Sequence, residues 1–138
     1  MWSNLTARLT KKASHSSKAP TSKRTTGDVA ERIAKSYVRQ HGLNVIDQNV
    51  LYRQGEIDLI AMDNEQLVFI EVRFRKNASH GGALASVTPS KQQKIVKAAQ
   101  LYLQQTFQHR PPSCRFDVIG ISGSETQPDI TWIKNAFC

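Results

Sequence analysis

Two consecutive stretches of alternating polar and apolar residues constrain the fold of this chain more than any other feature. The first runs from Gly55 to Ala61 and the second from Leu67 to Arg75. In both, side chains alternate with the two-residue period of a β-strand, and many of the apolar ones are β-branched. The segment Asp63–Gln66 between them, Asp-Asn-Glu-Gln, is typical of a tight turn. The two stretches are therefore predicted to form an antiparallel hairpin.

This hairpin is expected to bring two carboxylates together. A turn centred between Asn64 and Glu65 pairs residues whose numbers sum to 129, so Asp58 lies opposite Glu71, with Cα atoms roughly 4.5 to 5.5 Å apart. Two like charges at about 5 Å repel by roughly 3 kcal/mol at an effective dielectric constant near 20. A hard divalent cation such as Mg²⁺ would offset that repulsion. A solvated polar sheet face is the simpler interpretation and the commoner outcome of such a pattern.

The charge distribution predicts a basic tail followed by one domain. Residues 1–26 carry six basic and no acidic side chains, whereas the other residues carry 13 basic and 11 acidic ones, within a net charge of +8. The tail is rich in Ser and Thr and is predicted to be disordered. It is either an electrostatic arm on nucleic acid, a leader without a specific role, or a transit peptide. Residues 27–138 are long enough for one domain with a hydrophobic core.

The distribution of apolar residues and cysteines bears on the cellular environment. The sequence contains neither an apolar run long enough to cross a membrane nor a secretion signal, so we expect a cytoplasmic protein without membrane contact. Cys114 and Cys138 are far apart and lack metal-binding spacing, so both are expected to be free thiols. The four histidines form no zinc pattern either.

Two helices and three further strands complete the predicted fold. A stripe of apolar residues predicts a helix over residues 28–41, with Asp28 and Glu31 as its capping box and Thr26 as an alternative cap. Thr88-Pro89 predicts the start of a second helix that ends near Gln105. Strands are predicted at residues 43–52, 114–121 and 129–134, and a loop at residues 75–86. The order helix, three-strand meander, helix, two strands indicates an α/β fold with about five strands.

Charged residues around these elements are candidates for a functional site. Glu31 lies beside the apolar stripe of the first helix and is either a capping acid or a side chain that reaches inward to the carboxylates. Arg75 and Lys76, in the loop after the hairpin, suit a passing phosphodiester backbone. Lys91, Lys94 and Lys97 on the second helix suit a phosphate path as well, although a solvated lysine face is commoner.

Five segments together carry a family resemblance. They are Gly55–Ala61, Val68–Arg73, Ser86–Gln92, Arg115–Val118 and Trp132–Phe137. Over about residues 25–138 the chain resembles the YraN family of uncharacterised bacterial proteins. That family is similar to the restriction-endonuclease-like superfamily, which includes Holliday junction resolvases. The resemblance implies a restriction-endonuclease-like core with a mixed sheet flanked by helices.

The resemblance also implies roles for individual residues. In the superfamily, an Asp and a following Asp/Glu-X-Lys triplet bind Mg²⁺ or Mn²⁺, and these positions correspond to Asp58, Glu71 and Arg73. Glu31 corresponds to a helix acid that some relatives add to the metal site. Because the hairpin already places the two carboxylates together, the resemblance favours metal binding over a solvated face. The implied function is a metal-dependent nuclease that hydrolyses phosphodiester bonds in DNA, with branched or flapped DNA as the suggested substrate.

Arg73 is the main departure from the superfamily pattern. An arginine stays protonated at any relevant pH, so Arg73 can stabilise phosphate charge but cannot act as a base. Lys91 is a candidate substitute. If neither serves, the alternatives are a nucleic-acid-binding module with a degenerate site and a protein-interaction scaffold built on a decayed nuclease fold. Resolvase-like proteins often form homodimers, although this sequence shows no interface stripe.

Overall fold

The structure, a computed structural model, describes residues 26–76 and 82–138. Its helices are α1 (Thr26–Gln40), α2 (Gly82–Ala85) and α3 (Pro89–Phe107), and its strands are β1 (Asn44–Tyr52), β2 (Gly55–Asp63), β3 (Gln66–Phe74), β4 (Cys114–Gly123) and β5 (Pro128–Phe137). The predicted tail, apart from its last residue, and part of the predicted loop lie outside the described residues. No described helix is both long and apolar enough to span a membrane.

The described strands form a mixed sheet in the order β1-β2-β3-β4-β5. Strands β1, β2 and β3 are an antiparallel meander, β4 runs parallel to β3, and β5 returns antiparallel to β4. Parallel neighbours need a crossover connection, and the segment containing α3 supplies it. The predicted α/β fold with a five-stranded mixed sheet flanked by helices is therefore confirmed, and both cysteines are free, as expected.

The β2–β3 hairpin has the predicted register. Its pairs run from Asp63–Gln66 to Leu59–Ile70, and the numbers of each pair sum to 129. At the turn, Asn64 has a φ of 56°, a left-handed conformation that asparagine tolerates better than most residues. Beyond Leu59, β2 continues beside β1 and β3 continues beside β4. The next residues along the two strands, Asp58 and Glu71, therefore stand where the ladder between the central strands ends.

One hydrophobic layer on each face of the sheet holds the helices in place. On one face, α3 buries Ile95, Ala98, Ala99 and Tyr102 in a layer that includes Ile60 and Phe69. On the opposite face, α1 buries Ala30, Ala34 and Val38 in a layer that includes Leu59 and Ile70. Because successive strand residues point to opposite faces, the central hairpin contributes to both layers. This packing positions the beginnings of α1 and α3 near the end of the β2–β3 ladder.

Two details of the predicted elements are wrong. Helix α1 begins at Thr26, so Asp28 lies in its first turn and is not the N-cap. The predicted loop over residues 75–86 contains the short helix α2, since four residues are too few to show a helical apolar period. In contrast, the predicted start of α3 is confirmed: the Thr88 hydroxyl accepts a hydrogen bond from the Lys91 N–H at 3.2 Å.

A buried carboxylate ties β4 to β5 and to the central hairpin. The carboxylate of Asp117 is fully buried and accepts hydrogen bonds from Arg115 Nε at 3.0 Å, Trp132 Nε1 at 2.9 Å and the Asn135 backbone N–H at 2.9 Å. Arg115 Nη1 also donates to Asp63 Oδ2 at 2.9 Å, at the turn of the hairpin. Two segments of the family resemblance, Arg115–Val118 on β4 and Trp132–Phe137 on β5, are therefore joined by a network of hydrogen bonds with a structural role.

Removing this carboxylate should destabilise the protein strongly. Asp117→Ala is expected to lower the free energy of unfolding by about 3 kcal/mol, because it leaves the buried Arg115 guanidinium with one carboxylate fewer. Asp129→Ala, which removes an exposed carboxylate on the neighbouring strand, is the control and should change it by less than about 0.5 kcal/mol. Urea denaturation followed by circular dichroism measures both, and equal effects would contradict the network.

Candidate metal centre

The candidate site is built around Asp58 and Glu71 at the end of the β2–β3 ladder. Their exposed fractions are 8% and 4%, so the alternative interpretation, a solvated polar face, is wrong for these two residues. The Val72 backbone N–H donates to Asp58 Oδ2 at 2.8 Å. This hydrogen bond holds the Asp58 side chain against β3, beside Glu71. The structure thus brings together the two carboxylates that the register predicted to be neighbours.

The electrostatics of the pair are unfavourable in the absence of a cation. Burial and the adjacent Glu71 carboxylate raise the pKa of Asp58 to about 8, although the hydrogen bond from Val72 favours the charged form. Such a shift means that the folded protein resists carrying two negative charges at this position. A proton or a bound cation would relieve the repulsion.

Glu31 approaches the pair from α1. Burial and the Glu56 carboxylate raise the pKa of Glu31 to about 7, whereas a hydrogen bond with Asn49 opposes the shift. Asn49 has a φ of 51° and lies in β1, across from Asp58 in the neighbouring strand β2. Since Glu31 lies beyond the first turn of α1, its predicted capping role is wrong. Its half-buried side chain lies near enough to Asp58 for the two negative charges to repel.

The donor set suits a cation that keeps part of its water shell. Among residues 26–76 and 82–138, no three His, Cys, Asp or Glu side chains converge as a metal cage, so Glu31 adds negative charge nearby without completing one. Mg²⁺ usually binds proteins through one or two carboxylates and fills its other positions with water and substrate phosphate. Two buried hard-oxygen donors that repel each other fit Mg²⁺ or Mn²⁺, and Asp58 and Glu71 would hold the ion.

Two cations already contact one of these carboxylates. Arg73 Nη1 lies 3.5 Å and Lys91 Nζ lies 3.4 Å from the same atom, Glu71 Oε2. Arg73 Nε donates to Ser86 Oγ at 3.1 Å, and Ser86 Oγ donates to the Ala83 carbonyl at 2.6 Å. Helix α2 therefore orients the guanidinium through Ser86, and the first turn of α3 brings Lys91 to the same side of the site.

The other predicted phosphate contacts are placed differently. Arg75 Nη1 donates to the Gly82 carbonyl at 3.0 Å, which ties β3 to the start of α2. Lys76 and Lys94 are exposed to solvent. The backbone of Lys94 has a structural role, since its carbonyl oxygen would lie 2.5 Å from a Cβ added to Gly55. A glycine at that position allows β2 to begin against α3.

Two residues of the site escaped the sequence argument. Ser86 stands within the motif Ser86–Gln92 that carried the family resemblance, but nothing in that segment indicates that the hydroxyl meets Arg73. Asn49 falls in the irregular middle of the predicted first strand, where an asparagine in a strand signals a departure from extended geometry.

Comparisons with known proteins agree with the resemblance. The sequence profile of UPF0102, described as an uncharacterised protein family, matches residues 30–121. A UPF0102 protein of Nitrosococcus oceani is 44% identical over 118 residues, which cover 86% of this chain and 95% of that protein. One from Alcanivorax borkumensis is 47% identical over 117 residues, covering 84% and 94%, and one from Psychromonas ingrahamii is 50% identical over 111 residues, covering 80% and 88%.

The raised pKa of Asp58 predicts a pH-dependent stability in the presence of a chelator. This group titrates near 3.8 when unfolded and near 8 when folded, so its contribution is fully present at low pH and is lost as the pH rises toward 8. Relative to wild type, the Asp58→Asn variant should therefore gain thermal stability as the pH increases.

Melting temperatures of the two proteins from pH 4 to pH 8 test this expectation. The control is Glu65→Gln, which neutralises an exposed carboxylate at the turn of the same hairpin and should show no comparable gain. A difference between Asp58→Asn and wild type that does not change with pH would contradict the assignment of repulsion to this pair.

Proposed function

The chain belongs to the UPF0102 family of uncharacterised proteins, and from that premise we propose that it is a metal-dependent nuclease that hydrolyses phosphodiester bonds in DNA. The proposal depends on one observation: two buried carboxylates from adjacent strands meet beside two cations, Arg73 and Lys91. Carboxylates supply the ligands of a divalent cation, and the basic side chains suit the phosphate of the substrate.

The protein's own residues divide the reaction between them. Asp58 and Glu71 would hold the divalent cation. When bound, it supplies a Lewis acid that lowers the pKa of water and neutralises negative charge on the phosphate. Arg73 donates hydrogen bonds to the nonbridging oxygens, with its orientation set by Ser86 before the substrate arrives.

Lys91 provides chemistry that Arg73 lacks. A protein environment can lower the pKa of a lysine ammonium enough for it to release a proton, whereas a guanidinium stays protonated. The distance of 3.4 Å from Lys91 Nζ to Glu71 Oε2 supports a role for this amine beside the proposed metal ligand, and in the proposal it orients the attacking water or protonates the departing oxygen. In this proposal, Arg73 binds the phosphate and Lys91 takes part in proton transfer.

The approach to the site is favourable for a polyanion. Lys76, beside the end of β3, and Lys94, one helical turn beyond Lys91, are both exposed. Contacts from such side chains to phosphates position a nucleic acid without selecting its sequence. Preference for branched or flapped DNA is part of the proposal and is tested by comparing such substrates with linear duplexes.

Removing either carboxylate should abolish cleavage. Asp58→Ala and Glu71→Ala are each expected to lower the rate by at least about a hundredfold, because each would leave the cation with one protein ligand. The assay measures Mg²⁺- and Mn²⁺-dependent cleavage of branched and linear DNA, with Glu65→Ala as the control for loss of an exposed carboxylate on the same hairpin. Wild-type rates in both site variants would refute the nuclease.

A second candidate function is a nucleic-acid-binding module that does not cut. The observation that favours it is Arg73, which stands where the superfamily that the sequence resembles usually has a lysine and which cannot transfer a proton if that is the role of the lysine. This candidate predicts binding that persists in chelator and in Asp58→Asn, and that weakens steeply with salt as counterions are released. Fluorescence anisotropy with labelled DNA over a range of salt concentrations tests it, and the absence of binding at low salt would exclude it.

A further inference from the structure

The charge of Glu71 is balanced by side chains of the same protein. Arg73 Nη1 and Lys91 Nζ both lie within 3.5 Å of Glu71 Oε2, whereas the described hydrogen bond of Asp58 comes from a neutral backbone N–H. The two carboxylates of the pair are therefore unequal. One is paired with cations, and the other remains in a position where only a proton or a cation would offset its charge.

This arrangement sets the two basic side chains against a metal ion. To bind a divalent cation, Glu71 Oε2 would have to give up its contacts with Arg73 and Lys91. The bound cation would then lie close to both of these positively charged side chains. Like charges at such distances repel, and partial burial reduces the screening by water. The Arg73 and Lys91 pair should therefore weaken metal binding in the free protein.

Both basic side chains are free enough to leave Glu71 when a better partner arrives. Their exposed fractions are 33% for Arg73 and 44% for Lys91, in contrast to 4% for Glu71. A phosphodiester carries one negative charge, as a carboxylate does, and its two nonbridging oxygens each accept charge-assisted hydrogen bonds. It therefore competes with Glu71 for an ammonium or a guanidinium. The Ser86 hydrogen bond is made by Arg73 Nε, which leaves the outer nitrogens of the guanidinium to turn toward the phosphate.

We propose that Arg73 and Lys91 compete with the divalent cation for Glu71 in the free protein, and that substrate phosphate draws them away and so promotes metal loading. The inference rests on the proposed function and adds regulation to that site. Metal and nucleic acid then bind with positive coupling, and linkage requires that each increases the affinity of the other by the same factor. Cleavage chemistry is thereby assembled only where a phosphate backbone is present.

Removal of one competing charge should strengthen metal binding without DNA. Lys91→Met and Arg73→Met are each expected to bind Mn²⁺ about fivefold more tightly than wild type, the factor that corresponds to the coupling of a partly exposed ion pair. Lys97→Met removes an exposed lysine on the same helix and controls for the general charge of the protein. Lys91→Arg keeps the charge and should keep the affinity near that of wild type.

Isothermal titration with MnCl₂ measures these affinities, and circular dichroism checks that each variant is folded. If Lys91→Met and Arg73→Met bind Mn²⁺ no more tightly than Lys97→Met, the inference is overturned. If they bind it more tightly while the wild-type protein cleaves no DNA, the competition stands and the nuclease does not. If no variant binds Mn²⁺, both fail.

The second measurement tests whether phosphate draws Arg73 and Lys91 away from Glu71. A short DNA duplex should tighten Mn²⁺ binding to wild type, and the gain should be smaller in the Lys91→Met/Arg73→Met double variant because its competing charges are already absent. An equal gain in both proteins would mean that phosphate acts by contacting the metal alone, and it would overturn the release step.

Discussion

The repulsion between two buried carboxylates is the constraint on which the rest of the site depends. Asp58 and Glu71 are held together because the register of one hairpin leaves no other place for them, and the hydrophobic layers on both faces of the sheet prevent the strands from moving apart. The protein offsets part of the cost with the Val72 N–H and with two cations. A buried pair of carboxylates whose charges are incompletely balanced is therefore a candidate functional site.

The Asp117 network illustrates the structural alternative. There, a fully buried carboxylate accepts hydrogen bonds from an arginine, a tryptophan and a backbone N–H, so that its charge and its oxygens are satisfied by neighbours on two strands. Both sets belong to segments that carried the family resemblance, and composition alone does not separate them. The separation comes from the partners: Asp117 is surrounded by donors, whereas Asp58 faces another carboxylate.

The sequence predicted those features that depend on local periodicity. A two-residue alternation and a tight turn determine the register of a hairpin, so the neighbouring positions of Asp58 and Glu71 followed from the numbering. The Thr88-Pro89 signal located the start of α3 for a similar reason. Burial could not be predicted in this way, because it depends on α1 and α3 covering opposite faces, and α2 was missed because four residues carry no period. The contact between Arg73 and Ser86 depends on that unpredicted helix.

Arg73 on β3, at the position where the resembled superfamily usually has a lysine, is compatible with the proposed chemistry if Arg73 and Lys91 divide the tasks of that lysine. Arg73, two residues after Glu71 on β3, is suited to bind a phosphate. Because Ser86 already orients its guanidinium, Arg73 loses less side-chain entropy on binding than a flexible lysine would. In the proposal an amine transfers the proton, and the first turn of α3 brings Lys91 Nζ to 3.4 Å from Glu71 Oε2. Because Thr88 caps that helix and fixes where it begins, the fold determines the backbone position from which the Lys91 side chain extends toward the site.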